Sequence, residues 1–126
     1  MSRREIKLLT AAWSSPVWMK TNNDITGFSL LKEEYYRAWA DYHLRFLDEY
    51  QQFGLKFWGM STGNEPVNGI LPFMSFNSLG WTPTAQQTWI AEHLGPKLRN
   101  SSHQATKLMI LDDQRFFLPW WPNIVS

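Results

Sequence analysis

The chain has 126 residues, a formal net charge of +1 and 44% apolar residues, which bounds it to a single domain of ordinary globular composition. Acids and bases are interspersed, so no basic face for nucleic acid exists, and no apolar stretch approaches the ~20 residues of a membrane span. Eight Trp and eight Phe suit a sugar-binding cleft as well as a dense core, while the absence of cysteine removes disulfides and thiolate metal sites and leaves the redox compartment unread.

Residues 1–5 run without a signal-peptide apolar region into residues 6–10, a first strand. The expectation is a cytosolic chain or one whose start is missing. A loop with Trp13, Pro16 and Trp18 follows, and small residues beside Trp13 let its ring face a cleft. Asn22, Asn23, Asp24 and Gly27 make residues 21–31 an exposed turn or loop. Over residues 32–53, Tyr36, Trp39, His43, Phe46, Leu47 and Tyr50 recur at spacings of three and four, which predicts an amphipathic helix ended by Gly54. The short aromatic run at residues 56–61 is bounded by Gly54 and Pro66 and reads as a buried parallel strand.

Pro66 predicts an extended backbone for Glu65 and little strand beyond it. Residues 67–80 form a long irregular loop, a kind that is usually functional or mobile. Thr82-Pro83 starts a helix, with the Thr hydroxyl as N-cap and Pro at the first position. Trp89, Ile90, His93, Leu94 and Leu98 mark its core face, and Gly95-Pro96 should kink or interrupt it. After a polar loop at residues 99–106, residues 107–111 read as a third strand with Asp112 and Asp113 at its end. Residues 115–125 look like the start of another helix. The order is βαβαβα, which argues for a parallel sheet with right-handed crossovers. Three strands are too few for a barrel of about 250 residues, so the sequence looks cut at both ends.

The carboxyl end of the second strand carries the sharpest chemical signal, because Asn64 and Glu65 set an amide beside a carboxylic acid. An amide there holds a sugar hydroxyl while the acid protonates a glycosidic oxygen. A turn or capping role is the commoner use of such a triplet in general. Asp112 or Asp113 offers a second carboxylate, although helix capping or an ion pair with Arg115 is the preferred reading of that pair. His43 and His93 lie on apolar helix faces and His103 in a loop, with no metal-clasping spacing. No phosphate loop or nucleophile elbow is present. Asn100-Ser101-Ser102 is a glycosylation sequon in a polar loop.

Five segments together carry a family resemblance. They are the run from Leu8-Leu9-Thr10 through Trp13-Ser14-Ser15-Pro16 to Lys20-Thr21-Asn22, then Asn64-Glu65-Pro66, Leu79-Gly80-Trp81-Thr82-Pro83, Leu94-Gly95-Pro96 and Leu108-Met109-Ile110-Leu111-Asp112-Asp113-Gln114-Arg115. In this order, over essentially the whole chain, they resemble the glucosylceramidase (glucocerebrosidase) group of glycoside hydrolase family 30. The resemblance implies a retaining β-glucosidase on a (β/α)8 TIM barrel, with this chain supplying about three βα units, roughly strands 3 to 5. It puts Glu65 on the general acid/base, Asn64 on the amide that contacts the sugar 2-hydroxyl, Trp13 on an aromatic wall of the glucose site and Phe76 on the loop beside it. Gly63 stands where some relatives carry an acid, and Met74 where mammalian relatives carry an aromatic.

The nucleophile glutamate of the family lies near the seventh strand, beyond Ser126. The implied substrate is glucosylceramide, cleaved to glucose and ceramide by double displacement with no metal or organic cofactor. Implied partners are a saposin-type activator and an anionic lipid surface, and the implied location is the lysosomal lumen in association with a membrane. The resemblance also implies a secretory route, on which Asn100 would carry a glycan. Two other readings stand beside this one. The chain is a truncated product or pseudo-enzyme that keeps a sugar-binding surface without turnover, or it is a small independent α/β binding domain.

Overall fold

The computed structural model describes residues 6–125; residues 1–5, expected to lead into the first strand, lie outside them. Strands β1 (Leu8–Ala11), β2 (Phe57–Ser61) and β3 (Lys107–Met109) form one parallel sheet in the order β1-β2-β3. Helix α1 (Tyr36–Gln52) joins the first two strands. A longer helical stretch joins the next two: α2 (Pro83–Trp89), a π-helical turn (Ile90–Leu94) and α3 (Gly95–Arg99). A short α4 (Pro122–Val125) follows. The expected βαβαβα alternation is therefore present, with β2 central.

Helix α1 forms because its apolar positions fall on one face, and Tyr36, Trp39, Ala40, His43 and Leu47 are buried there. The pairing of Leu31 with Lys20 and the Lys32 N–H bond to Met19 O (2.9 Å) hold residues 31–32 outside it; a 3-10 turn (Glu33–Tyr35) follows and runs directly into α1. The helix ends as expected at Gly54, whose left-handed backbone (φ +77) lets Leu55 N–H reach Tyr50 O and Gly54 N–H reach Gln51 O.

The second helix starts as predicted: Thr82 Oγ1 accepts Ala85 N–H (3.2 Å) and Pro83 fills the first position. Gly95-Pro96 does not interrupt it. The missing Pro96 N–H is absorbed by a π-turn, in which Gly95 N–H bonds Ile90 O, five residues back, and the helix runs on through Arg99. Strand β3 ends at Met109 rather than at residue 111, where Leu111 turns into the left-handed region (φ +51). Residues 115–125 hold a single 3-10 turn (Arg115–Phe117) and α4 instead of one helix.

One face of the sheet packs on α1, where Phe57 meets Phe46 and Tyr50 at centroid separations of 5.4 and 5.5 Å. Between the helices, Trp81 and Trp89 stack at 5.0 Å and are essentially inaccessible, with Trp89 Nε1 donating to Tyr36 O (3.0 Å). A buried polar chain ties this core to the sheet. Trp121 Nε1 donates to Gln86 Oε1 (2.8 Å), Gln86 Nε2 to Thr62 Oγ1 (3.1 Å), and Thr62 Oγ1 to Met109 O (3.1 Å).

The loop at residues 67–80 is tied down rather than free. Ser29 N–H donates to Gly69 O, Gly80 N–H to Ser29 O and Gly27 N–H to Met74 O. The buried Lys20 ammonium donates to Ile25 O (2.8 Å) and Ser78 O (2.9 Å), and burial pulls its pKa down against the opposing pull of Asp24. Gly69 and Gly80 touch backbone to backbone, so that a Cβ on Gly69 would fall 1.9 Å from Gly80 N. The partner loop at residues 21–31 is exposed over most of its length, as expected, but buries Ser29 and Leu31.

Candidate active site

The chemistry-bearing residues gather where β2 ends. Beyond Ser61 the pairing continues on both sides: Asn64 N–H donates to Ala12 O (3.0 Å), past the end of β1, and Glu65 N–H donates to Asp112 O (2.7 Å), past the end of β3. Asn64 and Asp112 form a parallel bridge. The Asn64-Glu65 pair is thus held between the ends of the two flanking strands, at the carboxyl end of the sheet.

Glu65 is not extended. Its φ is +44, a left-handed conformation that costs a non-glycine residue of order 1–3 kcal/mol. The neighbours over-determine it. Asp112 O holds its N–H, and its own carbonyl accepts Asn68 N–H (2.9 Å), which closes a turn over Pro66 and Val67. Its half-buried carboxylate accepts from two amides: Asn68 Nδ2 on Oε2 and, at a longer 3.4 Å, Gln114 Nε2 on Oε1.

Asp113 does not pair with Arg115; among the described residues no salt bridge joins them. Its Oδ2 instead caps Val67 N–H (2.9 Å), across the gap between the two strand ends, and its Oδ1 accepts Gln114 N–H (2.7 Å). The capping half of the preferred reading therefore describes Asp113, although what it caps is the turn after Glu65. Asp112 contributes its backbone.

Trp13, half exposed, lies just past the Ala12 carbonyl that holds Asn64, and its ring meets Phe76 edge to face at 6.2 Å. The structure so brings Asn64 and Glu65 to one strand end and sets Trp13 and Phe76 against each other. Asn100 is exposed at the end of α3, in the connection entering the amino end of β3, and so belongs to the opposite edge of the sheet. His43 and His103 are buried in structural roles, the latter with Nε2 on Asp48 Oδ1 (2.8 Å). Asn68 and Gln114 were given no role by the sequence. The available signal was the position of Asn68, third after Glu65 across a proline, where a turn folds its side chain back.

Consecutive parallel βα units with a carboxylic acid, an amide and aromatic rings at the carboxyl ends of the strands define an α/β barrel segment of the class that does its chemistry at that face. The family model of the glycosyl hydrolase family 30 TIM-barrel domain matches residues 1–126. The lysosomal acid glucosylceramidase of Mus musculus is 43% identical over 129 residues, covering 99% of this chain and 25% of its own length. Putative glucosylceramidase 1 of Caenorhabditis elegans is 40% identical, over 95% of this chain and 24% of its own. The crystal structure of SrfJ from Salmonella typhimurium superposes with a TM-score of 0.84 at 30% identity, over 94% of this chain and 26% of that one. The chain belongs to glycosyl hydrolase family 30 and forms part of its (β/α)8 barrel, spanning about a quarter of the length of these relatives.

Proposed function

We propose that the protein carrying this chain is a retaining β-glucosidase acting on glucosylceramide, and that this segment supplies its general acid/base. The observation that carries the reading is the Glu65 carboxyl, fixed at the carboxyl end of the central strand beside Asn64. In the first step the Glu65 hydroxyl gives its proton to the glycosidic oxygen as the bond to the anomeric carbon breaks, while a glutamate from another part of the barrel attacks that carbon. In the second, the Glu65 carboxylate takes a proton from the water that displaces the glutamate. Retention requires the two carboxyls about 5–5.5 Å apart, a separation set by barrel closure. Asn64 holds the sugar 2-hydroxyl, and the Trp13–Phe76 pair forms a wall of the sugar site.

The glucosylceramide preference is supported by the 43% identity to the mouse glucosylceramidase, whose name also supports a lysosomal location. A saposin-type activator and an anionic lipid surface are the corresponding partners. Residues 1–126 are then an internal part of the catalytic barrel. In the full-length protein, Glu65→Gln is expected to lower turnover of glucosylceramide by about 10²–10⁴-fold with the fold intact, because an amide has no acidic proton to give. Hydrolysis at the parent rate would overturn the assignment. Sugar binding without turnover in the parent protein itself would support the non-catalytic reading instead.

A further inference from the structure

Resting on the acid/base reading of Glu65, we propose that Asn68 is a positioning residue that decides which oxygen of the Glu65 carboxyl carries the catalytic proton. A protonated carboxyl has one carbonyl oxygen and one hydroxyl oxygen, and the carbonyl oxygen is the better acceptor. Asn68 Nδ2 donates to Oε2, so the proton is disfavoured there and resides on Oε1. Among the described residues Oε1 accepts only from Gln114 Nε2, at 3.4 Å a far weaker donor contact than that of Asn68 on Oε2, so Oε1 is the oxygen left available to a leaving group. The same bias returns the proton to Oε1 in the second step, when the carboxylate accepts it from water.

The turn itself does not need this side chain. It is already closed by Asn68 N–H on Glu65 O (2.9 Å), and Val67 N–H is capped by Asp113 Oδ2 (2.9 Å). Asn68 opens a 3-10 turn (Asn68–Ile70) whose next residue, Gly69, is wedged against the Gly80 backbone. Its backbone is therefore held by bonds and packing other than its side chain, and little freedom remains to be lost in aiming the amide. The geometry favours a side chain placed for the carboxyl rather than for the loop.

The test compares two substrates in the full-length protein, an alkyl β-glucoside that needs the acid and 2,4-dinitrophenyl β-glucoside, whose leaving group departs without it. For Asn68→Ala, kcat/KM on the alkyl glucoside is expected to fall about tenfold or more, against less than about threefold on the activated one. Asn68→Gln, which keeps an amide donor, should lie closer to the parent on the alkyl substrate. Equal losses on both substrates would mark a merely structural role, and no loss on either would mark no role; each overturns the proposal. Glu65→Gln runs alongside. If it lacks the leaving-group selectivity, the acid/base reading fails; if it has the selectivity and Asn68→Ala does not, only the role of Asn68 fails.

Discussion

Gln86 shows how much of the site's support rests on one neutral side chain. Its amide bridges Trp121 Nε1 and Thr62 Oγ1, and Thr62 lies three residues before Glu65 on the segment that leaves β2. Gln86→Leu keeps the volume and removes both bonds, leaving the Trp121 indole N–H without a partner in a dry core, while the Thr62 hydroxyl loses a donor but still donates to Met109 O. One stranded group costs about 1–3 kcal/mol, so the full-length protein should lose roughly 2 kcal/mol in denaturant unfolding; a loss under about 1 kcal/mol would show these bonds to be dispensable. In the sequence Gln86 is an ordinary helix residue, because its partners lie 24 and 35 positions away. The strand-end placement of Asn64-Glu65 was legible, since it follows from a short apolar run stopped by proline. The left-handed backbone of Glu65 was not. The local rule for a residue before proline points to an extended chain, and it is overridden by Asp112 and Asn68, which hold the Glu65 backbone from a distant strand and from across the turn.

At the scale of elements, what local chemistry dictates was readable: the spacing of the α1 face, the Gly54 stop, and the Thr82-Pro83 start. What depends on neighbours was not. The π-turn before Pro96 keeps a helix going because its buried face is worth more than one lost hydrogen bond, and the loop at residues 67–80 is fixed by Lys20 and Ser29 from another part of the chain. The α1 face also contains a pH-sensitive point. His43 is buried among Trp39, Tyr42 and Trp89, its Nδ1 bonded to Trp39 O (2.8 Å), and burial pushes its pKa down to about 4, against a weaker opposing pull from that hydrogen bond. The carbonyl only accepts, so Nδ1 carries the proton of the neutral ring. With the folded pKa below that of the unfolded chain, the stabilisation is complete above pH ~6.5. It is lost as pH falls toward about 4, at about 1.4 kcal/mol per unit, because the unfolded state takes the proton first. At pH 5 the cost is roughly 2 kcal/mol relative to pH 7.5. His43→Gln should flatten that part of the stability profile by about this amount, measured by denaturant unfolding at both pH values; an unchanged difference between parent and variant would remove His43 as its source.

For the molecule as a whole, the sheet order among the described residues leaves both β1 and β3 as edges, each with one side of its backbone unpaired there. The face turned away from α1 presents Leu9 and Met109, whose side chains crowd the place a Cβ on Gly59 would take, and Leu9 is 56% exposed. Along the free side of β1 and α1 runs a groove of about 260 Å³ lined by Thr10, Ala12, Trp39, Tyr42, Phe46 and Met60. In a closed barrel these are the surfaces against which neighbouring βα units pair and pack. Exposed together they form an apolar patch with an open parallel edge, the combination that natural sheets cover or blunt. Expressed alone, residues 1–126 are therefore expected to aggregate or to populate a state with helical far-UV dichroism but no sharp melt. They should also lack β-glucosidase activity, since a retaining mechanism needs a second carboxylate about 5–5.5 Å from the first, which on the proposed mechanism comes from another part of the barrel, and Asp113 is committed to the Val67 and Gln114 amides. The measurement is a thermal melt of the purified monomer with a fluorogenic β-glucoside assay. A cooperative transition would mean that the three units are self-sufficient, and activity abolished by Glu65→Gln would make Asp112 or Asp113 the nucleophile.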